Sequence, residues 1–357
     1  MTGFDIARQR LANQHISQSL FEKPAEVVAR FGAVQAQDYA GGKWAVGQRT
    51  IGMTDADIDQ ACQDGTILRT HVMRPTWHFV TPADIRWLLE LTAPRVNGFA
   101  AYYYRKLELD DAVFAHSDAV LAKALEGGRQ HTRVELAAHL QKAGIATHEL
   151  LRVTHLMLRA ELDGVICSGA RRGKQFTYAL LDERAPQART LARDDALAEL
   201  AKRYFTAHGP ATLKDYAWWS GLSASDAKAG LEMVKPQLNR EVVDGQEYWF
   251  AESSFAAKEI TPSAFLLPNF DEYTVGYADR SAAIDPARGV DQRSSQLLSH
   301  TIVIDGKVVG NWKRTFKKDT VIVAAAPFVP FSDAEALAFA AAATRYGQFL
   351  GMKVVLA

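Results

Sequence analysis

Cysteine is almost missing from this chain. Cys62 and Cys167 stand far apart and form neither a metal-ligand pair nor a disulfide framework, so a reducing, cytoplasmic setting is expected. No apolar run is long enough to span a bilayer, and the alanine-rich run 336–343 reads as a packed helix, so no membrane partner is expected. Residues 1–14 carry charges throughout and have no apolar core segment, so no signal peptide is visible. There is no Walker loop, dinucleotide fingerprint or zinc spacing, so neither cofactor nor metal is expected. Net charge is missing too. The 41 basic residues equal the 41 acidic ones, which speaks against a uniformly basic nucleic-acid binder but leaves room for a positive groove balanced elsewhere. What remains is an ordinary globular composition, 48% hydrophobic and 23% charged over 357 residues, enough for two or three domains.

The clearest pattern lies in residues 130–180. Thr132 can cap a helix with Glu135 at the capping-box position. Val134, Leu136, Ala137 and Leu140 then recur at helical spacing, and Gly144 stops the helix. A second amphipathic helix is predicted over 148–162, carrying Leu151, Val153, Leu156, Leu158 and Leu162. Residues 165–167 and 176–180 read as two strands. The glycine-containing tip between them holds Arg171, Arg172 and Lys174. Helix, turn, helix and basic hairpin is the pattern of a winged helix, which sets one helix in the DNA major groove and its wing on the phosphates. A winged helix that contacts only proteins is the alternative.

The plan recurs twice. Near the N-terminus, helices are predicted over 4–15 and 24–33, with a further helical stretch at 44–49 and one from Thr54 to Cys62. The strand-like flanks 67–73 and 76–80 follow, joined by a turn at Arg74-Pro75. Later, helices are predicted over 194–208, 212–220 and 223–238, before a hairpin over 241–250 turning at Asp244-Gly245. From about Thr261 strands are predicted at 264–268, 300–304, 307–313 and 320–324, then a helix over 332–350 and a last strand at 352–356. The fold class expected is therefore α+β, with tandem winged helix-turn-helix domains and a C-terminal β-rich lobe. The domain boundaries fall at 1–115, 116–190, 191–260 and 261–357.

Candidates for chemistry are few. Gln35 and Gln37 lie two residues apart between a helix and the pair Gly41-Gly42, and by composition alone they are surface amides in a loop. Asp38 follows them. His78 lies in the first wing and suits a phosphate or ligand contact, or simple packing. His148 and His155 are spaced about two turns apart on the second helix of the 130–180 segment and can face DNA, though no metal-like set accompanies them. Asp271-Glu272 is a carboxylate pair suited to structural ion pairing, with Arg280 as one partner. Trp218-Trp219 suits a core. Lys313, Arg314, Lys317 and Lys318 fit either backbone contact or a solvated face.

Over nearly its whole length the chain resembles the AlkZ-like, or YcaQ-like, winged-helix DNA glycosylases of crosslink repair. The resemblance rests on Val34-Gln35-Ala36-Gln37-Asp38, on Met73-Arg74-Pro75-Thr76-Trp77-His78-Phe79-Val80 leading into residues 84–89, on 207–212 leading into 218–222, and on Leu267-Pro268-Asn269-Phe270-Asp271-Glu272-Tyr273, in that order. It implies tandem winged helices around a DNA channel and a catalytic Gln-x-Gln or Gln-x-Asp motif, matched here by Gln35 and Gln37. Where many members have Gly-Thr-Leu-His, this chain has Pro75-Thr76-Trp77-His78.

The implied chemistry is a DNA glycosylase that removes alkylated, cationic purines and unhooks interstrand crosslinks. Its partner is double-stranded DNA carrying alkylated bases, and a monomer is expected. Glutamine is no general base at neutral pH, but its carbonyl can orient water and put partial negative charge near a sugar cation. That suffices where the leaving base is already activated by a positive charge. DNA-binding is expected of Arg171, Arg172, Lys174 and His78. A winged-helix regulator without catalysis is the runner-up, and a scaffold that never touches nucleic acid the third reading.

Overall fold

The computed structural model of the chain describes residues 5–252, 262–289, 291 and 293–357. The start of the first expected helix and the 260/261 boundary lie outside the described residues. The architecture is α+β, and it packs as two compact units. The first unit contains the chain through Asp59, from Ala198 to Trp219, and from Ser223 to Ala357. The second contains Gln60 to Leu197 and Ser220 to Leu222.

In the second unit, the helix Asp111–Leu125 precedes the strand His131–Thr132, the helices Arg133–Lys142 and Leu150–Leu162, and the strands Ile166–Ser168 and Thr177–Leu180. The third of these strands lies between the other two, antiparallel to both. Thr132 Oγ1 accepts from the Glu135 amide while Glu135 Oε2 accepts from the Thr132 amide at 2.7 Å, which closes the predicted capping box. Leu136 and Leu140, four residues apart, face the core with Val153, Leu156 and Leu162. Val134 is 76% exposed and leaves the predicted stripe, because residues two apart on a helix point in different directions. The same unit holds the hairpin Leu68–Val72 and Arg74–Val80. Its turn is at Met73, with φ 63°, and not at Arg74-Pro75. The register slips between His71 and Val72, so Pro75 falls in the irregular stretch of the ladder, where a missing N–H is tolerated.

In the first unit, the hairpin Asn239–Val243 and Gln246–Phe250 turns at Asp244-Gly245, both with positive φ, as a two-residue turn requires. The helix expected over 223–238 is shorter, Ala224–Val234, and continues as a 3-10 turn Lys235–Gln237 that contains a proline. Among the described residues the C-terminal part forms a five-stranded sheet ordered Lys353–Leu356, Thr320–Pro327, Lys307–Lys317, Thr301–Ile304 and Ala264–Leu267. Ser332 and Glu335 cap the helix Asp333–Leu350, and Gly351 ends it in the left-handed region.

That helix fixes the region of the amide motif. Trp44, on the helix Tyr39–Gly47, lies 5.1 Å from the Tyr346 ring and 4.9 Å from Phe349, and its Nε1 donates to the Leu266 carbonyl. Gly47 is required at this crossing, since a Cβ there would come within 2.3 Å of the Phe349 ring.

Candidate active site

Gln35 ends the two-residue strand Val34–Gln35, and Gln37 follows in the bend that leads to the helix Tyr39–Gly47. Gln35 is buried, and its side-chain Oε1 is enclosed with no hydrogen-bond partner among the described residues. A buried acceptor without a donor is costly and marks a position where a ligand or water can donate. Gln37 is exposed. Asp38 is partly buried, 3.7 Å from Arg314. Gly41 allows close approach here: a Cβ would lie 3.0 Å from Asp38 Oδ2 and 3.1 Å from Asn269 Oδ1. Asn269 Oδ1 is itself enclosed without a partner among the described residues.

Two segments separated by more than two hundred residues meet here. The backbone N–H of Gln35 donates to Glu272 Oε1 at 2.9 Å. Glu272 Oε2 accepts from Trp219 Nε1 at 2.8 Å and lies 3.1 Å from His208 Nε2. Burial lowers the His208 pKa, which favours the neutral imidazole, and the carboxylate acceptor beside Nε2 selects the tautomer with the hydrogen on that nitrogen. Asp271 holds a separate ion pair, its Oδ1 2.8 Å from Arg49 Nη2 and its Oδ2 3.0 Å from Arg49 Nη1. Arg49 also donates to the Gln14 carbonyl at 3.0 Å and to Gln14 Oε1 at 2.9 Å. The carboxylate pair is thus built into the floor of the motif. Arg280, the partner suggested by sequence, instead donates from Nε to the Thr274 carbonyl. Sequence reasoning singled out Glu272 but missed its contact with Gln35, because nothing local in either segment encodes the pairing.

The remaining candidates are distributed as follows. The basic tip lies between Ile166–Ser168 and Thr177–Leu180, with Arg172 bridged to Gln175 and Gly173 at φ 62° in the turn. Lys174 is exposed at its end. Arg172 is engaged with Glu135 Oε1 at 2.7 Å, and Arg171 lies 5.1 Å from the Phe176 ring. His78 is fully buried, its Nδ1 2.9 Å from the Thr76 carbonyl. His148 precedes the helix Leu150–Leu162 and is exposed, whereas His155 is buried with Nδ1 2.8 Å from the Leu151 carbonyl. Trp219 belongs to the core as expected, but Trp218 is 49% exposed. Lys317 and Lys318 are exposed near the turn between Lys307–Lys317 and Thr320–Pro327, while Arg314 turns toward Asp38. Among the described residues no group of three or more His, Cys, Asp or Glu is placed to hold a metal ion, and no helix is long and apolar enough to cross a membrane.

Residues 28–349 match the family described as DNA glycosylase AlkZ-like. An interstrand DNA cross-link repair glycosylase from Streptomyces sahachiroi is 25% identical over 345 residues, covering 92% of this chain and 90% of its own. The solved structure of Streptomyces sahachiroi DNA glycosylase AlkZ superposes with a TM-score of 0.79 at 20% identity, over 99% of this chain and 98% of that one. The structural likeness extends the match to the fold as a whole.

Proposed function

The chain belongs to the AlkZ-like DNA glycosylase family, and from that premise we propose that it hydrolyses the N-glycosidic bond of alkylated, cationic purines in duplex DNA and unhooks interstrand crosslinks built on such bases. The relative's name supports the crosslink part. Family membership favours this reading over a non-catalytic regulator. The observation that carries the site is the enclosed, unpartnered Oε1 of Gln35, two residues before the exposed Gln37.

An alkylated purine such as N7-alkylguanine carries its positive charge before reaction. When the bond from C1′ to the base nitrogen breaks, its electron pair returns to the ring and the base leaves neutral. The sugar takes on oxocarbenium character. The carbonyl oxygens of Gln35 and Gln37 hold the attacking water by accepting its O–H bonds and place partial negative charge beside the sugar. Water adds to C1′ and releases one proton to solvent. Neither amide needs to change protonation state, which suits a substrate that brings its own activation. Tandem winged helices would hold the duplex, with Arg171, Arg172 and Lys174 on the wing near its phosphates. His78 is left out of this reading because its ring is buried.

The test is base release from a duplex carrying one N7-alkylguanine, with the parent and a Gln35→Ala, Gln37→Ala variant side by side. Release above the spontaneous rate by the parent alone is expected. Equal release by both proteins would remove the amides from the mechanism.

A further inference from the structure

Two amides are a weak anionic environment for a sugar that becomes a cation. The fold places a carboxylate one hydrogen bond from the backbone of Gln35. Glu272 is 1% exposed and receives N–H groups from three separate stretches of chain: Gln35 from its strand, His208 from beyond the helix Arg193–Ala207, and Trp219 from the helix Leu213–Ser220. Burying a carboxylate is costly before compensation, and a hydrophobic residue of similar size would avoid that cost. A core that needed only to be filled would not require it. Its neighbour Asp271 has its own bidentate partner in Arg49, so the two acids divide their work: one ties Arg49, the other reaches the motif.

We propose that Glu272 is the positioning residue of the amide motif, holding Gln35 through its backbone N–H and supplying, one hydrogen bond behind it, the fixed negative charge that glutamines lack. The proposal rests on reading Gln35 and Gln37 as the catalytic pair. The hydrogen bond fixes the strand end, and with it the direction in which the Gln35 carbonyl is presented. The charge acts through a buried, low-dielectric region, where a preorganised anion stabilises a developing cation without reorganising. Glu272 takes no proton from the water and makes no bond to the sugar.

The experiment compares the parent, Glu272→Gln, Gln35→Ala and the double variant. It measures single-turnover release of N7-alkylguanine, DNA affinity and hydrogen exchange at the Gln35 amide. Glutamine keeps the size of the side chain and an acceptor oxygen but removes the charge. The expected result is a rate loss of about ten- to a hundredfold in Glu272→Gln with affinity for DNA changed by no more than about twofold. Adding the substitution to Gln35→Ala should then cost less than it does in the parent, because the positioning part of the loss has no Gln35 carbonyl left to act on. The Gln35 amide should be protected in the parent and exchange faster in Glu272→Gln. A rate within about twofold of the parent, or losses that multiply in the double variant, would overturn the proposal and leave Glu272 as packing alone. Should Glu272→Gln fail to fold, an unprotected Gln35 amide in the parent would overturn it equally. Should the parent release no base, the glycosylase reading falls, and unchanged Gln35 exchange in Glu272→Gln would then overturn the positioning role as well.

Discussion

At the residue scale, the site depends on buried charges that have been given partners. Arg49 and Asp271 are each at most 1% exposed, and Arg49 also binds both the carbonyl and side chain of Gln14. Removing one member of such a pair is far worse than never having had it, because the other stays buried with its charge uncompensated. Asp271→Ala should therefore destabilise the first unit by about 3–5 kcal/mol in denaturant unfolding. A loss below ~1 kcal/mol would mean that water reaches Arg49 and that the pair is not the anchor described. The identities of these residues were visible in the sequence, as was the suitability of Asp271 and Glu272 for structural bonding. Their partners were not. Arg49 and Asp271 are 222 residues apart, and no spacing rule links them.

At the element scale, the basic hairpin divides its cations. Arg172 is tied to Glu135, whose pKa is drawn down to about 2 by the Thr132 backbone N–H, then by Arg172 and the Thr132 hydroxyl. That arginine helps hold the tip against the helix Arg133–Lys142. Lys174, exposed beyond the turn, is the cation best placed to meet phosphate. On the proposed function, Lys174→Ala should lower the slope of log affinity against log salt by about one while leaving base release at saturating DNA unaltered. An unchanged slope would exclude a phosphate contact by this hairpin. This hairpin was readable from sequence because two strand patterns flank a glycine-containing basic tip. In the first hairpin the turn falls at Met73 and not where the sequence predicts it: Arg74-Pro75 is a strong local turn signal, but the register slip beside Met73 depends on pairing across the ladder.

For the molecule as a whole, the two units should respond to acid in opposite directions. In the first, burial and then the charges of Arg30 and Arg49 lower His15 to about 4, burial and then Arg314 lower His300 to about 4, and burial lowers His208. An unfolded histidine takes up its proton near 6.5, so these groups contribute full stability above that pH, and the contribution is lost as pH falls toward 4. In the second unit, Asp118 is raised to about 7, first by burial and then by the charge of Asp163. Its folded form keeps a proton that the unfolded form releases above 3.8, so its contribution is greatest at low pH and is lost as pH rises through about 7. Between pH 7 and 5, hydrogen exchange should show loss of protection in the first unit and a gain in the second. Asp118→Asn should abolish the gain. A parallel decline in both units would contradict this account.

The sequence by itself determined the local elements: the caps at Thr132 and Ser332, the Asp244-Gly245 turn and the glycine-containing basic tip follow from interactions within a few residues. Through resemblance it also marked Gln35 and Gln37 and the segment 267–273 as belonging to one family pattern. Only the tertiary structure decided that Gln35 presents its backbone to Glu272, that His78 is enclosed, and that the chain leaves its first unit at Asp59 and returns to it at Ala198. The reason is physical. Capping and turn geometry act over three or four residues, whereas burial and charge pairing depend on which distant segments arrive together, and that is set by packing the whole chain.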